Sequence, residues 1–174
     1  MRRAAAIAAL LAMAATVAMA LSGCGYTTST ALLPSHIKAL AIPVFENGTT
    51  EYNLEQELTA AVIQRFVSDN HVKIVGERDA NAVLRGRITD YKNSVFGFAT
   101  GNHAQEYRVS ITVAVVFKDL VKNREIWNDQ ALLRTANYYV ESVPGDTAKT
   151  ELDGRKNAIT KIADEILSRS VEGW

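Results

Sequence analysis

Glu106-Tyr107-Arg108-Val109-Ser110-Ile111-Thr112-Val113-Ala114-Val115-Val116-Phe117-Lys118 is the stretch whose reading decides the fold. Tyr107, Val109, Ile111, Val113, Val115 and Phe117 fall on one side of it. Glu106, Arg108, Ser110, Thr112, Ala114, Val116 and Lys118 fall on the other. So long a period of two predicts a strand with one buried and one wet face. Upstream, Ala82, Leu84, Gly86 and Ile88 face one way, and Val83, Arg85, Arg87, Thr89 and Tyr91 the other. The segment between the two runs, Asn93–His103, holds Phe96, Gly97, Phe98 and Gly101 and predicts the tip of a long antiparallel hairpin. Lys122-Asn123 reads as the next turn, with a third strand from Arg124 to about Tyr138.

Two helical periods flank these strands. Leu54, Leu58, Ala61, Val62 and Phe66 share one helical face, in a segment that Asn53 and Gln56 open at capping-pair spacing and Ser68-Asp69-Asn70 closes. Near the C-terminus, Leu152, Ile159, Ile162, Ala163 and Ile166 form a second stripe, with Asp146 or Thr147 as its cap. Gly154 within it costs about 1 kcal/mol relative to Ala. A first strand is expected at about 37–45, where Pro43 implies an edge or an end, and a short strand within His71–Val75. The order β-α-β-β-β-α, with the short strand added, predicts an α+β two-layer sandwich: two amphipathic helices on one face of a small, mostly antiparallel sheet.

The N-terminus reads differently. Met1-Arg2-Arg3 precedes an uncharged run from Ala4 to Leu21, and Leu21-Ser22-Gly23-Cys24 resembles the lipobox of bacterial lipoproteins. The expected division is a cleaved signal peptide at 1–23, a lipidated tether at 24–35 rich in Thr and Ser, and one domain at 36–174. Cys24 is the only cysteine in the chain and the expected site of lipid attachment, palmitate included, so the mature domain would rely on its apolar core. Loss of Arg2 and Arg3 takes the formal charge from zero to −2, which gives no electrostatic case for nucleic acid. Gly25 follows the cysteine where an Asp marks inner-membrane retention in familiar Gram-negative lipoproteins, so the outer membrane is the expected destination.

Catalytic signatures are missing. The sequence has no GxSxG, no HExxH and no Gly-rich strand-to-helix phosphate loop. His36, His71 and His103 read as solvated loop residues without metal-ligand spacing, and Glu46, Glu51, Glu55 and Glu57 suit the start of the first helix. No enzyme, metal or cofactor is expected. Two features stay outside the structural accounting: Phe96 and Phe98 at the hairpin tip, and Tyr138-Tyr139-Val140 before the last helix. Both read as partner-contact candidates.

Along nearly the whole mature chain the residues resemble the LPS-assembly lipoprotein family (LptE). The pieces are Cys24-Gly25-Tyr26, Leu33-Pro34, Ile37-Lys38, Ile42-Pro43-Val44-Phe45 with Asn47 and Thr49, Leu54-Glu55 and Leu58-Thr59. Ala82-Val83-Leu84-Arg85-Gly86, Ser94-Val95-Phe96 and Gln105-Glu106-Tyr107-Arg108-Val109 follow in order. The resemblance implies a non-enzymatic outer-membrane lipoprotein, held on the periplasmic side by its lipid. It would plug and help assemble the β-barrel LPS translocon (LptD) and contact LPS. Relatives carry a basic residue directly after Ser-Val-Phe, where this chain has Gly97. Lys149 lies near a lysine of relatives, and its place at a helix start is not explained by the helix dipole. Arg85 and Arg87 are further phosphate candidates, against the alternative that they pair across the sheet with Glu106 or another carboxylate. A lipoprotein subunit of another envelope secretion or pilus assembly machine shares the anchor and the sandwich, and stays open as an alternative.

Overall fold

The computed structural model describes residues 33–98, 104–141 and 149–171. Cys24 and the rest of the N-terminal segment lie outside them, as do Gly101, His103, Asp146 and Thr147. The elements are β1 (Ala39–Ala41), β2 (Glu46–Asn47), α1 (Leu54–Asp69), β3 (Lys73–Ile74), β4 (Ala82–Phe98), β5 (Ala104–Asp119), β6 (Arg124–Tyr139) and α2 (Glu151–Val171). A single turn of 3-10 helix, Glu77–Asp79, joins β3 to β4. One mixed sheet runs β3-β1-β4-β5-β6, and β2 also pairs with β4. The pairings β1–β3, β1–β4 and β2–β4 are parallel, whereas β4–β5–β6 forms a long antiparallel meander.

Both helices cover one face, as the α+β two-layer reading requires. The α1 residues Leu54, Leu58, Val62 and Phe66 and the α2 residues Ile159, Ile162, Ala163 and Ile166 are buried against Leu84, Ile88, Val109, Ile111, Val113 and Val115. Burying each large apolar side chain stabilises by about 1.5–3 kcal/mol, so this interleaved layer is the main source of stability. Phe45 lies flat over Gly86, where a Cβ would come within 2.3 Å of the ring, so glycine is required there for β4 to approach the β1–β2 connection.

Several expectations are corrected. The first strand is two short pieces: Pro43 offers no amide hydrogen, and pairing stops at Ala41 and resumes at Glu46. Asn53 and Gln56 do not form a capping pair, because Asn53 is left-handed (φ 63°) and its side chain makes no capping bond. Asn47 organises this start instead: its amide donates to Glu51 O (2.8 Å) and Glu55 Oε2 (2.9 Å), while its oxygen accepts from Thr49. At the other end Asn70 (φ 61°) closes α1, donating to Phe66 O. Thr150, not Asp146 or Thr147, precedes α2: its amide and hydroxyl both donate to Asp153 Oδ2 (2.8 Å). Leu152 is exposed and outside the buried stripe, which begins at Gly154.

The largest correction concerns phase. Ile88 pairs with Val113 and Asp90 with Thr112, so Thr89 is an extra residue, a β-bulge. One inserted residue exchanges the two faces of everything after it. Tyr91 therefore turns inward onto the core, opposite Ile111, and its hydroxyl donates to Glu151 Oε1 (2.7 Å). Burial first, and then that carboxylate, push its phenol well above the ordinary value.

Candidate functional site

The candidate site is the far end of the meander, where β4, β5 and β6 continue past β1 and β2. Phe96 and Phe98 are not in a loop: β4 extends through Phe98, and both lie on the strand. Phe98 is 63 % exposed and Phe96 49 %, with Val95 and Val140 also exposed. Two residues apart, Phe96 and Phe98 would share one face of a regular strand; here the β4–β5 register shifts on either side of Gly97, between the two rings. At Gly97 itself a Cβ would meet the Glu106 side chain at 3.0 Å.

On the helix-free side of this end, the Arg108 guanidinium stacks 3.4 Å from the Phe96 ring centre. Its Nε donates to Asn137 Oδ1 (2.8 Å), and Asn137 Nδ2 donates to Glu106 Oε1 (2.7 Å). Registers Arg108↔Asn137 and Glu106↔Tyr139 set these groups side by side. The result is an ordered polar ladder with an aromatic edge. Sequence reading placed Glu106 and Arg108 on the wet face but gave no signal that Asn137 would link them, since that depends on the β5–β6 register.

Tyr138 does not belong to this surface. It is 4 % exposed, stacked on Tyr107 (centres 5.6 Å apart, 22° between planes), and its hydroxyl exchanges hydrogen bonds with Asn93 (2.9 and 3.2 Å). As a partner contact it is corrected to a core residue. Its phenol is raised in pKa by burial, which outweighs the Asn93 hydrogen bond. Tyr139, half-buried on the opposite face, stays at the surface end, and its carbonyl accepts from the Lys149 amide (2.7 Å). Lys149 is thereby fixed at this end, two residues before α2.

Arg85 and Arg87 stand apart from Lys149, back along β4. Arg85 meets Glu77 (3.2 Å) and Arg87 meets Glu46 (3.7 Å); Glu106 lies at the other end of the sheet with Asn137. An anion approaching either arginine competes with a carboxylate already in place. The three cations are not brought into one site.

The histidines are corrected in part. His36 Nε2 lies 2.9 Å from Oδ2 of the fully buried Asp119, so it is a packed link between the start of the domain and the end of β5. His71 Nδ1 pairs with Asp69 (2.5 Å). Open hollows of about 370 Å³ between the helices (Glu57, Ala61, Lys156, Ile159, Thr160) and about 310 Å³ beside α2 bring together no nucleophile and base.

The family model for LptE, lipopolysaccharide-assembly, matches residues 37–170. Among curated protein sequences none matches. Several solved structures are similar at low identity. A dodecamer of a PelC point variant from Paraburkholderia phytofirmans aligns with a TM-score of 0.51 at 14 % identity, over 81 % of this chain and 92 % of its own. The hypothetical protein CT253 from Chlamydia trachomatis aligns at 0.51 and 12 %, over 76 % and 95 %. The rare lipoprotein B from Shewanella oneidensis aligns at 0.46 and 20 %, over 75 % and 92 %.

Proposed function

This chain belongs to the LptE lipopolysaccharide-assembly family, and from that membership we propose that it is an outer-membrane lipoprotein, anchored through Cys24 on the periplasmic side. In this reading it plugs and helps assemble the β-barrel LPS translocon (LptD) and takes part in LPS insertion, without catalysis of its own. The observation that carries the reading is the far end of the meander, where Phe98, Phe96 and Tyr139 edge an ordered polar ladder outside the helical layer. Exposed aromatic rings beside satisfied polar groups suit a wall that is itself part apolar, part polar, such as a barrel lumen. Lys149 is held at the same end through its backbone amide, and Arg85 and Arg87, back along β4, would have to leave Glu77 and Glu46 to meet an LPS phosphate.

A photo-crosslinker at Phe98 in cells, with pull-down through a C-terminal tag and mass spectrometry, tests the reading. A crosslink to a large outer-membrane β-barrel is the expected result. The PelC neighbour is a dodecamer, so the same fold also occurs in an assembly of copies. A crosslink between copies of this chain, or to components of a secretion or pilus machine, would replace the plug with the alternative of another envelope assembly.

A further inference from the structure

We infer that the β5–β6 turn, Leu120-Val121-Lys122-Asn123-Arg124, is a second membrane contact that sets its two apolar side chains into an anionic phospholipid surface beside the acylated N-terminus. The inference rests on the lipid-anchored reading above, and deepens it by giving the domain a fixed orientation at the bilayer.

Val121 is 62 % exposed and Leu120 39 %. Exposed apolar residues are common singly, so exposure alone decides nothing. Three further observations single out this pair. First, the turn is held rigidly. Asp119 Oδ1 accepts from the amides of Val121 (2.9 Å) and Lys122 (3.0 Å), and the Leu120 amide donates to Asn81 O (2.9 Å). Side chains presented by a fixed turn lose little further freedom on insertion.

Second, the charge fits. Lys122 and Arg124 are exposed, and neither side chain has an ion-pair partner among the described residues. The acid within the turn, Asp119, is buried and engaged with His36 and the turn amides. Two apolar side chains followed by two cations is the pattern of an interfacial segment, and each cation contributes about fivefold to binding at an anionic surface.

Third, the anchor arrives here. The other oxygen of Asp119 holds His36, so the chain enters the domain directly at this turn. From Cys24 to His36 is twelve residues, a span of at most about 40 Å. Such a tether keeps the turn at millimolar effective concentration near the bilayer, where a weak contact is populated. Phe98 lies at the opposite end of a strand of 17 residues, about 55 Å away along the sheet.

The test uses the full lipidated chain in phosphatidylcholine–phosphatidylglycerol vesicles, with an environment-sensitive fluorophore on Val121→Cys or, separately, on Phe98→Cys. With Cys24 consumed by lipid, the introduced thiol is the only one to label. The expected result is a blue shift and strong quenching by brominated lipid at position 121 and neither at 98. Lys122→Glu with Arg124→Glu should cut the quenching severalfold at low salt. A probe at 121 that stays unquenched while the protein remains on the vesicles overturns the inference and leaves the anchor standing. Thiol labelling of the natural chain at Cys24 overturns the anchor reading, and this inference with it.

Discussion

Tyr138 reaches the core through a gap at Gly154: a Cβ built on Gly154 would stand 2.6 Å from Tyr138 Cδ1 and 3.2 Å from Val109 Cγ2. The helical cost of this glycine is therefore the condition for α2 to lie close on β5 and β6. Gly154→Ala sets a helix-propensity gain of about 1 kcal/mol against an overpacking cost of about 1–3 kcal/mol. The overlap is with a ring fixed by Tyr107 and Asn93, which cannot swing aside. The expected outcome is a net loss of up to about 2 kcal/mol in urea unfolding; a gain would mean that the ring yields.

Arg155 joins the two helices. Its side chain is 12 % exposed, and it donates to Glu57 (3.0 and 3.1 Å) and to the Tyr52 carbonyl (2.8 Å), with Glu51 at 3.8 Å. Removing one partner of such a pair leaves carboxylates and a carbonyl without their donor. Arg155→Met should cost about 1–3 kcal/mol, less than a fully buried pair because Glu57 and Glu51 keep contact with water. In a double-mutant cycle with Glu57→Gln, a coupling below about 0.5 kcal/mol would show that the pair is screened and that Arg155 adds little to the joining of α1 and α2.

Acidification should weaken the fold. The Asp129 carboxyl is held below its usual value by the Ala131 amide and then, against burial, by Arg169. Burial pushes Glu165 up, but Arg134 and Arg169 together bring it below the ordinary glutamate value. Asp119 is also lowered despite burial, through the Lys122 amide and His36, and Asp153 through Thr150. A depressed folded value means stability that is present above the unfolded carboxylate range, near 4, and is lost as pH falls through the folded values. Urea midpoints should hold level down to about pH 5 and then fall steeply. Asp129→Asn, already lacking one of these groups, should show a shallower fall; a parallel slope would remove Asp129 from the account.

What could be read from the sequence was what depends on periodicity. The alternation through Val109, Ile111, Val113, Val115 and Phe117 and the stripes of both helices gave the layers and the buried faces, because burial repeats with the element's own period. What could not be read came from single events in pairing. The bulge at Thr89 moved Tyr91 across the sheet, and pairing with β5, with its register shifted around Gly97, continues through Phe98. The β5–β6 register made neighbours of Arg108 and Asn137, while Asp119 met His36 across 83 residues. None of these changes the composition or the local pattern, so no local signal carries them.

Phe98 separates stability from partnership. It is largely exposed at the end of β4, where substitutions shift stability by no more than about 0.5 kcal/mol, so Phe98→Ser should unfold like the natural chain. Phe96 is different, since its ring supports Arg108 and, through it, Asn137 and Glu106. Phe96→Ser should loosen that ladder as well as the surface. On the plug reading proposed above, both variants should lower the amount of correctly assembled barrel recovered with the protein in cells, Phe96→Ser more than Phe98→Ser. If Phe98→Ser recovers the barrel in full while Phe96→Ser does not, the contact is made by the polar ladder on the open face and not by the aromatic edge. Full recovery with both would take the far end of the meander out of the interface.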